Sequence, residues 1–333
     1  MKRRKFVNRG LSAVAIIGSS SIIARSISAS ARDSRSIKKR PKDAEPSEIL
    51  TLEEILTFPD VPGDRRISYG SDPSQFGELY LPQKPGPHPT IVLIHGGCWL
   101  AEYGLNLMGQ MAAALKEEGI AVWNLEYRRL GNGGGWTGTF EDVSMGTDFL
   151  ETIAPEFDLD LSRLVTVGHS AGGHLALWLA GRHNLPKTSP LYVEEMPVHG
   201  VVSLAGIPDL ITGVEQNICF GACQQLVGGL PTEVPDRYEQ ASPRELLPLG
   251  VPQWHLSGIE DQIVPTTYLE EYVEVATQYD EVYLEVLPNA GHFEVIYPNT
   301  STWRAVRNAI KGLVDRDAGY EYRWNHRRKP KAN

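Results

Sequence analysis

The sequence predicts an α/β fold, a mostly parallel sheet with helices on both faces, and two observations carry that reading. Short apolar runs alternate with longer helical patterns along most of the chain, and such alternation requires crossover helices between parallel strands. Several of these runs are also continuous rather than alternating, as strands buried on both faces must be.

The elements follow in order. Arg66 to Tyr69 and Phe76 to Leu81 read as a short antiparallel pair at the sheet edge. Thr90-Ile91-Val92-Leu93-Ile94 is the first buried strand, Leu105 to Glu118 a helix, and Ile120 to Leu125 the next strand. Phe140 to Ile153 reads as a helix, Leu164 to Val167 as a strand, and Ala171 to Gly181 as the helix opening directly after it. Val198 to Leu204, Gln253 to Ser257 and Val282 to Leu287 complete the strands, with helices at Thr267 to Gln278 and Thr302 to Leu313. Residues 206–250 break the rhythm with frequent Pro and Gly. A stretch that long inside a compact domain is usually functional, so it reads as a lid or pocket-wall insertion.

The 333 residues allow one large domain or two small ones, and 41% hydrophobic with 22% charged residues is an ordinary globular balance. A net charge of -9 argues against a nucleic-acid partner. Basic residues gather at both ends, so the middle is more acidic than the total. Residues 1–31 read as an export signal: Arg3-Arg4-Lys5-Phe6-Val7 resembles the twin-arginine pattern, and Ala29-Ser30-Ala31 fits a small-x-small cleavage site. The apolar run Leu11 to Ala24 is shorter than the ~17–25 residues of a bilayer span. No stable membrane anchor is expected, and the location expected is periplasmic or secreted. Residues 32–46 read as a flexible linker, 47–320 as the catalytic domain and 321–333 as a basic tail.

Three cysteines, Cys98, Cys219 and Cys223, leave at least one unpaired within the chain. A bridge between Cys219 and Cys223 is open, as is one from Cys98 to either. No C-x-x-C or clustered histidine accompanies them, so no metal site is expected.

Gly168-His169-Ser170-Ala171-Gly172 matches G-x-S-x-G between a predicted strand and a predicted helix. A serine attacks a carbonyl well when it projects alone from a tight turn within reach of a base. The helix that follows aims N–H groups at the developing oxyanion. Upstream, His95-Gly96-Gly97-Cys98-Trp99 follows a strand, and N–H groups of Gly97 or Cys98 are expected to join that of Ala171 in an oxyanion hole. Asp261 lies in a loop after the strand at Gln253, where strand ends converge on the active crevice. It is preferred to the adjacent Glu260 as the acid that orients the base. His292, in Asn289-Ala290-Gly291-His292-Phe293, alone among nine histidines falls in a glycine-flanked loop after the last strand. His169 is expected to pack beside the turn, and His174 to cap or pack inside. Glu126 and Arg128 read as structural ion-pair or hydrogen-bond anchors. Trp99, Tyr103, Trp136 and Phe293 flank the motif loops and are expected to line an apolar pocket, while Trp178 belongs to the core.

These motifs, with Glu126-Tyr127-Arg128-Arg129, Gly133 to Thr139, Glu141-Asp142-Val143 and Gly172-Gly173-His174, resemble bacterial α/β-hydrolase esterases. The likeness lies near the hormone-sensitive-lipase, feruloyl-esterase-like and kynurenine-formamidase-like branches and covers residues 60–315. It implies the α/β-hydrolase fold, with an eight-stranded mostly parallel sheet, a short lid insertion, and the Ser170–His292–Asp261 triad in its usual chain order. The function implied is cofactor-free hydrolysis of a small-molecule ester or amide through an acyl-enzyme. A carboxylesterase is expected first. An arylformamidase or other amide-cleaving hydrolase with the same triad, and a non-catalytic binding protein on the same fold, are the competing readings.

Overall fold

The computed structural model describes residues 49–194 and 196–316. The export signal expected at 1–31, the linker at 32–46 and the basic tail at 321–333 lie outside the described residues. Eight strands form one sheet: β1 Arg65–Ser68, β2 Phe76–Tyr80, β3 His88–Ile94, β4 Ala121–Leu125, β5 Leu159–His169, β6 Gly200–Leu204, β7 Gln253–Gly258 and β8 Val282–Leu287. Their order across the sheet is β1-β2-β4-β3-β5-β6-β7-β8. Only β1 with β2 and β2 with β4 run antiparallel, so the edge pair expected from the sequence is in place. This is the architecture of the α/β-hydrolase fold.

The continuous apolar run of β3 explains the layering. Its successive side chains serve opposite cores: Val92 and Ile94 join one cluster with Trp123, Phe140 and Trp178, while Ile91 and Leu93 join the other with Met108, Leu115 and Ile310. All four β3 residues are fully buried, each worth about 1.5–3 kcal/mol of hydrophobic stabilisation. The helices divide accordingly. Those in described order are α1 Leu52–Leu56, α2 Gly109–Glu117, α3 Gly138–Asp148, α4 Leu150–Phe157, α5 Ala171–Gly181, α6 Leu210–Glu215, α7 Ala222–Val227, α8 Pro235–Ala241, α9 Thr266–Ala276 and α10 Trp303–Val314. Every residue of α5 is buried, as a helix apolar all round demands. By contrast α10 buries the stripe Val306, Ile310 and Leu313 and leaves Arg304 exposed, with Arg307 and Lys311 half-buried.

Two expectations need correction. The helix expected over 140–153 is two helices, α3 and α4, which meet at Phe149. Strand β5 begins at Leu159 rather than Leu164, because Leu159 and Asp160 pair with His88 and Pro89 before a register shift. Polar Asp160, Ser162 and Arg163 hide that extension in the sequence. The insertion 206–250 carries α6, α7 and α8, which at six or seven residues are too short to show periodicity. Their terminal signals are nevertheless present. Asp209 caps α6 by accepting from Ile211 and Thr212 N–H, and Pro235 occupies the first turn of α8.

The interior also holds four almost fully buried histidines, His95, His169, His174 and His255. Burial disfavours the imidazolium and pushes all four down, His95 and His255 to about 3, His174 to about 4 and His169 well below its ordinary value. In the unfolded chain each takes a proton near pH 6.5. Folding stability is therefore fully present above that pH and is lost as pH falls toward the folded-state values. Urea titrations from pH 7 to pH 4.5 are expected to show this fall, at about 1.4 kcal/mol per pH unit for each histidine. His255, on β7 away from the motif loops, offers a clean check. His255→Gln is expected to reduce the slope by one histidine's share, and an unchanged slope would contradict the assignment.

Candidate active site

Ser170 sits between the end of β5 and the start of α5, with φ +52° and ψ −120°. That backbone is strained for a residue with a side chain and persists because its surroundings hold it. The Ser170 N–H donates to Leu204 O at 2.8 Å. The flanking glycines are required by space. A Cβ on Gly168 would lie 2.0 Å from Gly172 O, and one on Gly172 would lie 2.2 Å from Ile94 O.

Opposite the serine turn is the loop His95–Trp99. A Cβ on Gly96 would meet Ser170 Cβ at 3.0 Å, so this loop runs directly beside the candidate nucleophile. Gly97, Cys98 and Trp99 have φ of +102°, +50° and +56°. The N–H groups of Gly97, Cys98 and Ala171 have no acceptor among the described residues. Free, fixed donors beside a serine are what an oxyanion hole requires.

His95 anchors the loop from below. Since burial keeps it neutral, its Nδ1–H donates to Gly96 O at 2.8 Å and its Nε2 accepts from Arg129 at 3.1 Å. Arg129 pairs in turn with Glu126, which also receives Leu105 and Tyr127 N–H. Arg128 binds Asp142 through its backbone and side chain at 2.7–2.9 Å. Glu126 and Arg128 are thus structural anchors, as expected.

His292 Nδ1–H donates to Asp261 Oδ2 at 2.7 Å, which leaves Nε2 as a proton acceptor. The other oxygen, Asp261 Oδ1, accepts Ile263 and Val264 N–H, both at 2.8 Å. These bonds fix the carboxylate, and they fix it on Asp261; Glu260 is exposed to solvent. His169 does more than pack beside the turn. Its Nε2–H donates to the His292 carbonyl at 2.9 Å, with the two rings 4.6 Å apart. The residue before the serine therefore holds the loop of the histidine. His174 Nε2–H donates to Ala241 O.

Ser170, His169 and His292 share a cavity of about 250 Å³. Gly97, Cys98, Tyr103 and Phe293 line it. Trp99 and Trp136 do not. The left-handed turn at Cys98–Trp99 sends the Trp99 indole beneath the loop, fully buried and edge-on to His174 at 5.2 Å. Trp136 packs against Phe140 with Arg237 over its ring. Trp178 is core, as expected. The insertion 206–250 supplies Cys219, Phe220, Ala222 and Gln225 to the cavity wall. Leu52 and Ile296 were missed by sequence reasoning, since an isolated leucine or isoleucine carries no motif.

The cysteine question has one answer: Cys98 bonds Cys219, and Cys223 is a buried thiol, pushed by burial up to about 12. The bridge ties the candidate oxyanion loop to the pocket wall 121 residues away. Cys219→Ser is expected to cost roughly 2–5 kcal/mol of stability, read as a fall in thermal midpoint. Reducing the wild-type protein should lower the midpoint comparably and leave the variant unaffected.

Comparison with known proteins adds to this geometry. The family model BD-FAE matches residues 78–273, more than half of the chain. Esterase LipC of Mycobacterium tuberculosis is 26% identical over 249 residues, 68% of this chain and 59% of that protein. A probable isoprenylcysteine alpha-carbonyl methylesterase, ICMEL1 of Arabidopsis thaliana, is 34% identical over 115 residues, 34% of this chain and 23% of that protein. The chain thus spans about a quarter to three fifths of these curated relatives. Among solved structures, esterase B of Lactobacillus rhamnosis superposes with a TM-score of 0.66 at 20% identity, covering 79% of this chain and 90% of that one. Est2 of Thermogutta terrifontis, with propionate bound, gives 0.62 at 19%, covering 77% and 96%. These likenesses establish the fold.

Proposed function

The chain belongs to the BD-FAE family, whose model spans more than half of it, and from that premise we propose that it hydrolyses carboxylic esters through Ser170, His292 and Asp261. The observation that carries the reading is the Asp261–His292 hydrogen bond of 2.7 Å beside a cavity that Ser170 also lines. Relatives named esterase and methylesterase support ester as the bond cleaved.

In the mechanism proposed, His292 Nε2 takes the Ser170 proton as Oγ attacks the ester carbonyl. Negative charge develops on the carbonyl oxygen, which accepts from Ala171 N–H and from Gly97 or Cys98 N–H. Loss of one such donor from a pre-organised hole costs about 2.7–4 kcal/mol in related chemistry. The tetrahedral species collapses, His292 returns the proton to the departing alcohol, and an acyl-Ser170 enzyme remains. Water then attacks that ester with His292 again as base, releasing the acid and restoring Ser170. Asp261 keeps the proton on Nδ1 and stabilises the imidazolium. The cavity wall is chiefly apolar, with Leu52, Leu100, Leu107, Ile263, Phe293 and Ile296, and among the described residues its titratable side chains are His169, His292 and Tyr103. An uncharged substrate with apolar arms suits it.

A fluorophosphonate probe is expected to label the protein at Ser170 and to fail on Ser170→Ala. A well-folded wild type that resists labelling would favour the binding-protein reading. Ser170→Ala and His292→Ala should lower kcat with p-nitrophenyl butyrate by roughly 10⁴- to 10⁶-fold, leaving catalysis from the oxyanion hole and binding. Asp261→Asn should approach that loss while Glu260→Gln does little. Faster turnover of N-formylkynurenine than of any ester would assign the amide-cleaving reading instead.

Export completes the proposal. It rests on the twin-arginine-like Arg3-Arg4-Lys5-Phe6-Val7, and a Cys98–Cys219 bridge suits an oxidising compartment. Cell fractionation should find the mature protein outside the cytoplasm, and Arg3→Lys with Arg4→Lys should retain the precursor inside.

A further inference from the structure

The segment Ile49–Leu52 lies against the loop that carries His292. Gly291 has no side chain, and a Cβ there would sit 2.4 Å from Ile49 Cγ2; the missing methyl is what lets this segment close on the loop. One carboxylate joins the two. Glu294 accepts Gly291 N–H at 2.7 Å through Oε2 and Leu50 N–H at 2.5 Å through Oε1. It is only 6% exposed, and a buried carboxylate is costly unless hydrogen bonds satisfy it. Here each oxygen is satisfied by a different segment, so the carboxylate holds them together.

The chain beyond this anchor is also fixed. Thr51 caps α1 with a reciprocal bond pair to Glu54, and Phe58 stacks on Tyr297 with ring centroids 4.4 Å apart. Between these clamps Leu52 reaches the cavity that Ser170 and His292 line, beside Leu107, Phe293 and Ile296.

We infer that Ile49–Leu52 is a specificity strap: Leu52 limits the length of one arm of the ester, and Glu294 is the positioning residue that holds the strap on the base loop. This rests on Ser170 being the nucleophile of an ester hydrolase. Glu294 also steadies the backbone beside His292, so its loss lowers turnover of every substrate. Its effect on chain-length preference is separate, because that preference changes only if the wall moves.

The test compares kcat/KM for long and short substrates within each enzyme, so that the fraction of folded protein cancels. One series varies the acyl chain, p-nitrophenyl acetate against octanoate; the other varies the alcohol, methyl against hexyl butyrate. Leu52→Ala is expected to raise the long-to-short ratio roughly 10-fold in at least one series, the scale set by apolar pocket contacts, and Leu52→Trp to lower it. Glu294→Ala should move the ratio in the same direction as Leu52→Ala. The double variant should fall short of the product of the two single effects, because both act on one wall. Ratios unchanged within twofold in both series for Leu52→Ala would overturn the strap. A response to Leu52→Ala with none to Glu294→Ala would overturn the anchor. A wild type without Ser170-dependent hydrolysis in either series would instead remove the functional reading, and the strap with it.

Discussion

The parallel pairing of β3 with β5 brings Ile94 level with Gly168, and from that register the two loops leaving these strands cannot avoid each other. One carries His95-Gly96-Gly97 and the other Ser170. They fit only because glycine faces backbone at each crossing, Gly172 against the Ile94 carbonyl and Gly96 against the His169 carbonyl. A single methyl group at either point would force the strand ends apart. Close packing of main chain against main chain thus places fixed N–H donors beside a serine before any catalytic side chain is considered.

Behind that contact lies a buried polar network. His95 bonds Gly96 and Arg129, Arg129 pairs with Glu126, and Glu126 also receives two backbone N–H groups. On the other side His169 bonds the His292 carbonyl. Burial keeps both imidazoles neutral, which gives each ring one donor and one acceptor nitrogen and so a defined orientation. Side chains held in this way fix the loops with little freedom left, and pre-organisation of that kind is what oxyanion stabilisation depends on.

Two walls of the cavity come from parts of the chain that the sheet does not position. Cys98–Cys219 fastens the insertion 206–250 to the His95–Trp99 loop, and Glu294 fastens Ile49–Leu52 to the His292 loop. Each fastening joins a wall segment directly to a loop that carries a group proposed for the chemistry.

The sequence by itself determined the sheet, the order of its elements and the residues proposed for chemistry. Buried parallel strands are written as continuous apolar runs, and G-x-S-x-G, His-Gly-Gly and the glycine-flanked His292 are local consequences of tight turns. What only the tertiary structure decided depends on contacts between distant segments. The Cys98–Cys219 pairing, the burial of Trp99 outside the cavity, the extension of β5 and the tie from Leu50 to Glu294 leave no periodicity or motif. In each case the partner lies tens to hundreds of residues away, and only the folded chain brings it within reach.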